Sequence, residues 1–127
     1  MTQPIHIPHE TPEVKVLRET TRGGLKYRLL VDADYGPSSE ITQGLFYLYG
    51  GHVEDLHRHD IPETLHVVEG SGKITLEDRE IEVTPGDTVF VPAGCRHGFD
   101  ADDDMTLLFT FPVPRFAEID FDYGDAG

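Results

Sequence analysis

At 127 residues the chain has the length of one ordinary domain, and its 24 Asp and Glu against 10 Lys and Arg leave a formal charge of −14. A surface this acidic repels phosphate backbones, which excludes nucleic acid and anionic membrane as partners. Cys95 is the sole cysteine, so an internal disulfide is excluded, and with neither a charged-then-apolar leader nor an apolar run of about 18 residues the protein is expected to be soluble and cytoplasmic.

Residues 1–22 carry Pro4, Pro8 and Pro12 among scattered polar residues, and read as an arm ending in a short extended piece near Val14–Leu17. Residues 23–112 read as one all-β unit. Short apolar or alternating runs cut by Gly, Pro and Asp predict strands over 26–31, 43–49, 53–59, 64–69, 73–76, 80–84, 88–91, 95–100 and 106–111. That density of short strands is the signature of a sandwich or jelly roll, and helix has little support. Glu77-Asp78-Arg79 and Thr84-Pro85-Gly86-Asp87 read as tight turns, and the acidic cluster from Asp100 to Asp104 as a solvated loop. Gly51, Gly70, Gly86 and Gly94 fall at turns, where they shape the chain and do not touch a ligand. Residues 113–127 form an acidic tail with aromatic anchors at Phe116, Phe121 and Tyr123.

Alternate side chains of a strand share a face, so within the strand expected over 53–59 His57 and His59 point together. The pair alone is weak evidence for a metal, because exposed histidines are common in acidic proteins. Its context is stronger: Glu63 returns after the bend that Asp60-Ile61-Pro62 permits, and His97 arrives from a strand distant in sequence but adjacent in a closed double sheet. Three imidazoles and a carboxylate suit one divalent transition metal (Fe, Mn, Ni, Co, Cu or Zn) and do not suit Ca or Mg. Four protein ligands leave room on the metal for a substrate. The bland alternative is a metal-free barrel whose histidines bond one another or water.

Read outward, Gly51, His57, His59, Glu63 and Gly70 form one pattern, and Gly86, Pro92, Gly94 and His97 form a second, with 15 residues between them. These patterns closely resemble the two motifs of the cupin superfamily, over about residues 25–111. The resemblance implies a single jelly-roll barrel with His57, His59, Glu63 and His97 as metal ligands. Ala101 stands where the second motif usually ends in Asn, a residue that is not a ligand. The flanks, Val31-Asp32-Ala33-Asp34-Tyr35 with Gly36, Ser38 and Ser39, and Phe111-Pro112 with the stretch from Arg115 to Ile119, look like those of the smallest cupin-type dimethylsulfoniopropionate lyases. Those enzymes cleave a zwitterionic sulfonium compound to dimethyl sulfide and acrylate by β-elimination.

That second resemblance implies a tyrosine base two residues after the glutamate ligand and another active-site tyrosine near the C-terminus. Leu65 and Phe121 occupy those places here, and a leucine accepts no proton. Candidates to replace the base are Tyr47 and Tyr49, which share a strand face, and His66, which alternation turns away from the Glu63 face. Leu65, Tyr47, Tyr49 and Phe90 are the residues expected to wall the cavity. The expectation is therefore a divalent-metal-binding single cupin, a metalloenzyme acting on a small carboxylate-containing molecule as a lyase of this type or a relative. An Fe(II)-dependent dioxygenase and a non-catalytic metal and ligand binder are the alternatives. A homodimer is expected. The acidity has two readings, a cationic or zwitterionic substrate and a saline habitat.

Overall fold

The structure, a computed structural model, describes residues 2–8, 13–20 and 23–124; the parts of the expected arm at 9–12 and 21–22, and of the expected tail at 125–127, lie outside the described residues. Ten strands follow in chain order: β1 (Val14–Thr20), β2 (Gly23–Val31), β3 (Thr42–Leu48), β4 (Val53–His57), β5 (Glu63–Glu69), β6 (Gly72–Leu76), β7 (Arg79–Val83), β8 (Thr88–Val91), β9 (His97–Ala101) and β10 (Met105–Phe111). One 3-10 turn, Phe116–Glu118, is the sole helical element among the described residues. It is far too short to cross a membrane.

The strands form two antiparallel sheets, a six-stranded one in the order β1-β2-β3-β10-β5-β8 and a four-stranded one in the order β4-β9-β6-β7. Period-2 alternation decides which face each buries. In β10, Met105, Leu107, Phe109 and Phe111 point inward; in β3, Phe46 and Leu48 do so while Leu45 and Tyr47 face out. Phe46 of the first sheet stacks on Phe109 at 4.2 Å between ring centroids and meets Phe99 of the second at 6.1 Å. These rings hold the sheets together, and burying each contributes about 1.5–3 kcal/mol.

All nine strands read from the sequence are present, and their ends differ for local reasons. The strand expected over 53–59 stops at His57 because its register against β9 shifts between Glu54 and His57, after which Arg58 bridges instead to Asp122. The strand expected from Cys95 begins at His97, since the Cys95 amide closes a turn onto the Pro92 carbonyl. The extended piece near Val14–Leu17 is part of β1, which pairs antiparallel with β2. Gly51, Gly70, Gly86 and Gly94 all take positive φ. At Gly70 the requirement is also steric, because a Cβ would fall 2.0 Å from the Asp104 carbonyl oxygen.

The two flanks that carry the lyase resemblance bond to each other. Buried Asp32 accepts the Phe116 amide at 2.8 Å, and Asp34 accepts the Arg115 Nε–H at 2.9 Å. Phe116 then stacks on Tyr27 at 4.7 Å, so the chain beyond β10 folds back over one mouth of the barrel.

Candidate metal centre

His57 ends β4, His97 opens β9 directly across from it, and Glu63 opens β5 in the facing sheet. His59 lies just past β4 and still points inward. All four side chains lie inside the barrel, with residue exposures of 2 % for His57, 3 % for His59, 2 % for Glu63 and 0 % for His97. Their rings gather closely: His57 to His97 at 4.3 Å, His57 to His59 at 5.0 Å and His59 to His97 at 5.2 Å between centroids. One ligand atom from each imidazole lies within 4.8 Å of the other two, so this group can hold a metal ion.

The backbone fixes which nitrogen each ring offers. Nδ1–H of His57 donates to the Asp55 carbonyl at 2.8 Å, that of His97 to the Cys95 carbonyl at 3.0 Å, and that of His59 to the Asp120 carbonyl at 2.8 Å. A carbonyl only accepts, so each ring carries its proton on Nδ1 and presents a lone pair on Nε2. Such outer bonds orient metal-binding histidines generally.

On the Nε2 side, His97 meets a carboxylate oxygen of Glu63, but the pairing is incomplete. His59 Nε2 and Glu63 Oε2 are buried with no hydrogen-bond partner. His97 Nε2 lies 3.0 Å and His59 Nε2 3.6 Å from Glu63 Oε1. Lone pair would face lone pair there unless a proton or a cation sits between them. Two donors about 2.1 Å from one cation and at right angles to each other are about 3.0 Å apart, the separation of the His97 and Glu63 atoms. The nitrogen and oxygen set with two orphaned atoms thus fits a divalent transition metal.

Electrostatics favour lone-pair donors at His57 and His59, whereas Glu63 favours a proton or a cation at His97. Burial, with a contribution from His97, pushes His57 down to about 3, and burial also lowers His59. At His97 burial acts downward too, but the Glu63 hydrogen bond and charge outweigh it and the pKa is raised. Glu54 lies on the far side of His57, with Oε2 3.7 Å from its Nδ1, and burial lifts its carboxyl to about 7. Aromatic rings line the centre: Phe121 is 5.4 Å from His57 and 4.5 Å from His59, and Phe111 is 5.1 Å from His59.

The structure separates the other candidates. Leu65 is buried on the Glu63 face of β5. Tyr47 and Tyr49 alternate with inward Phe46 and Leu48, so both face outward, where Arg28 lies 5.8 Å from the first ring and Lys26 5.0 Å from the second. His66 is also on the outer face, 2.8 Å from the Thr88 hydroxyl, and Phe90 is 63 % exposed. This corrects the expectation that Tyr47, Tyr49 and Phe90 wall the cavity. Strand parity decides the matter, and it could not be carried through the turn at Gly50 and Gly51. Sequence reasoning missed Glu54 and the carbonyl of Asp120. Regular alternation from His57 would turn Glu54 outward; the register shift brings it in, and no sequence signal marks that shift.

Comparison with known proteins agrees with this fold. The cupin-domain family profile matches residues 44–111. Dimethylsulfoniopropionate lyase DddW of Ruegeria pomeroyi is 24 % identical over 127 aligned positions, covering 94 % of this chain and 84 % of that protein. Among solved structures, an RmlC-like cupin from Shewanella frigidimarina superposes with a TM-score of 0.72 at 26 % identity, covering 91 % of this chain and 96 % of that one. The polyketide cyclase RemF from Streptomyces resistomycificus gives 0.76 at 24 % identity, covering 99 % and 89 %. With both histidine-bearing patterns inside the matched stretch and a two-sheet barrel built around them, the chain belongs to the cupin family.

Proposed function

We propose that this cupin binds one divalent transition metal (Fe, Mn, Ni, Co, Cu or Zn) through His57, His59, Glu63 and His97. We further propose that it is a metalloenzyme acting on a small zwitterionic or cationic molecule bearing a carboxylate, as a lyase of the dimethylsulfoniopropionate-lyase type or a relative. The observation that carries this reading is the common orientation of the imidazoles: every Nδ1–H is spent on a backbone carbonyl, and two buried atoms on the other side have no partner. A divalent cation bound there supplies Lewis-acid polarisation of a substrate carboxylate. The rings of Phe111 and Phe121 exclude water beside the imidazoles, which strengthens every charge interaction within. Leu65 shapes the wall without exchanging a proton. The net charge of −14 favours approach of a sulfonium or ammonium centre.

An Fe(II)-dependent dioxygenase is the second reading, favoured by fully buried Leu65 where a lyase of the resembled type has its base. Oxidation by O₂ does not require a protein base at that wall. The test loads the protein with each metal in turn and incubates it with sulfonium and hydroxy-acid carboxylates, with and without oxygen. Olefin release supports the lyase, and oxygen uptake supports the dioxygenase. Loaded protein that does neither is a non-catalytic binder, and the enzymatic reading falls.

The proposed assembly is a homodimer through the outer face of the six-stranded sheet. Val14, Val16, Tyr49 and Val68 are 43–55 % exposed there. A groove across this face has Lys26 and Arg28 on one side, Glu69 and Asp104 on the other, and Leu45 and Tyr47 between. A twofold axis sets the basic side of one copy against the acidic side of the second.

A further inference from the structure

The ligand set accounts for the Nε2 side of the three imidazoles; on the Nδ1 side, one of them differs from the rest. Besides the Asp55 carbonyl, the Nδ1 edge of His57 faces a carboxylate, Glu54 Oε2, at 3.7 Å. Glu54 is 1 % exposed, and the Tyr123 hydroxyl donates to the same Oε2 at 2.7 Å. Over the Tyr123 ring, 3.7 Å from its centroid, lies the Arg18 guanidinium, whose Nη2 donates to Asp55 Oδ2 at 3.3 Å. Tyr123 itself lies 5.3 Å from the His57 ring, beside Phe121. A connected path therefore runs from β1 through the C-terminal segment to the first histidine. Two of its members, Arg18 and Tyr123, lie outside the 44–111 stretch that defines the family.

A buried carboxylate costs several kcal/mol in lost hydration and persists where its neighbours offset that cost. Tyr123 and Arg18 offset part of that cost for Glu54, and the Tyr123 hydrogen bond holds it beside the nitrogen of His57 that the metal does not use. A carboxylate in that place fixes the ring and strengthens its opposite nitrogen as a donor. The Nδ1–H groups of His59 and His97, like that of His57, go to backbone carbonyls, and the carboxylate these two rings meet, Glu63, lies on their Nε2 side.

We propose that Glu54, Tyr123 and Arg18 are positioning residues of the metal centre: the Tyr123 hydroxyl, steadied by Arg18, holds the Glu54 carboxylate beside the Nδ1 edge of His57, and this brace sets how strongly His57 binds the metal. The inference rests on the ligand set given under Proposed function. It makes the two ends of the chain part of the site.

The test uses the full chain with Co(II), whose visible bands report ligand geometry, and Zn(II) in competition with a chromophoric chelator. Tyr123→Phe keeps the ring against Arg18 and Phe121 and removes the hydroxyl; Glu54→Gln keeps the shape and an acceptor for Tyr123 and removes the charge. Both variants are expected to bind Zn(II) about 10–100-fold more weakly and to shift the Co(II) bands. Phe116→Leu, which loosens the packing of the same segment without touching the path, is expected to lower the thermal midpoint and leave the bands in place. Wild-type affinity and bands in both path variants, or losses no greater than those of Phe116→Leu, overturn the brace alone. If the wild-type chain takes up neither metal, the ligand set falls and the brace with it.

Discussion

Stripping the metal is expected to lower the thermal midpoint by about 10 °C, and His59→Ala is expected to abolish that difference. In the metal-free protein His59 Nε2 and Glu63 Oε2 are buried without partners, a condition that costs about 1–3 kcal/mol for each such group. A cation that binds the folded chain alone, present at 100 times its Kd, stabilises by about 2.7 kcal/mol. At about 2.1 cal/mol/K per residue the 127-residue chain unfolds with an entropy of about 0.27 kcal/mol/K, so that stabilisation is worth about 10 °C. Differential scanning calorimetry of loaded and chelator-stripped protein, at one protein concentration and one pH, measures it directly. Equal midpoints in the two wild-type samples, or a full shift retained in His59→Ala, would refute the reasoning, because the orphaned atoms would then have no part in binding.

Acid should weaken the metal-free protein through His57. Burial holds its folded pKa at about 3, below the unfolded value of about 6.5, so the unfolded chain takes the proton first and stability falls as pH drops below 6.5, by up to about 1.4 kcal/mol per pH unit. Urea midpoints of metal-free wild type and His57→Gln from pH 7.5 to 4.5 should therefore converge on acidification; a constant gap contradicts this. Gly70→Ala, with φ of +78° and a Cβ placed 2.0 Å from the Asp104 carbonyl oxygen, should cost about 2–4 kcal/mol in chemical denaturation, and a loss below about 1 kcal/mol would mean the turn yields freely. Tyr49→Glu or Val16→Glu should convert a dimer to a monomer in sedimentation velocity; dimers that persist in both variants would place the interface elsewhere.

The barrel is legible in the sequence because its strands alternate cleanly and its turns are marked by Gly, Pro and Asp. Four inward residues of β10 follow one another at a period of two, and a single reading fits them. His57, His59, Glu63 and His97 are legible for a different reason: their spacing matches a known pattern, and the structure gathers the three imidazoles with Glu63 against His59 and His97. Tyr47 and Tyr49 show the limit of parity. Their shared face is readable within β3, yet its direction depends on a turn whose geometry the residue types do not determine. Glu54 shows a second limit, since one register shift places it and His57, three positions apart, on the same side. Tyr123, Asp120 and Phe121 lie in a segment that reads as an acidic tail with aromatic anchors, and composition does not tell what the anchors cover. Phe121 and Tyr123 pack against His57, and a backbone carbonyl of the same segment orients His59.

The central claim is that four side chains meet at one cation. Anomalous diffraction at the absorption edge of the loaded metal is its most direct test. The account predicts a single peak at one metal per chain, about 2.0–2.2 Å from Nε2 of His57, His59 and His97 and from a Glu63 carboxylate oxygen. A peak bound elsewhere on the chain, or loaded crystals with no peak among these residues, would contradict it.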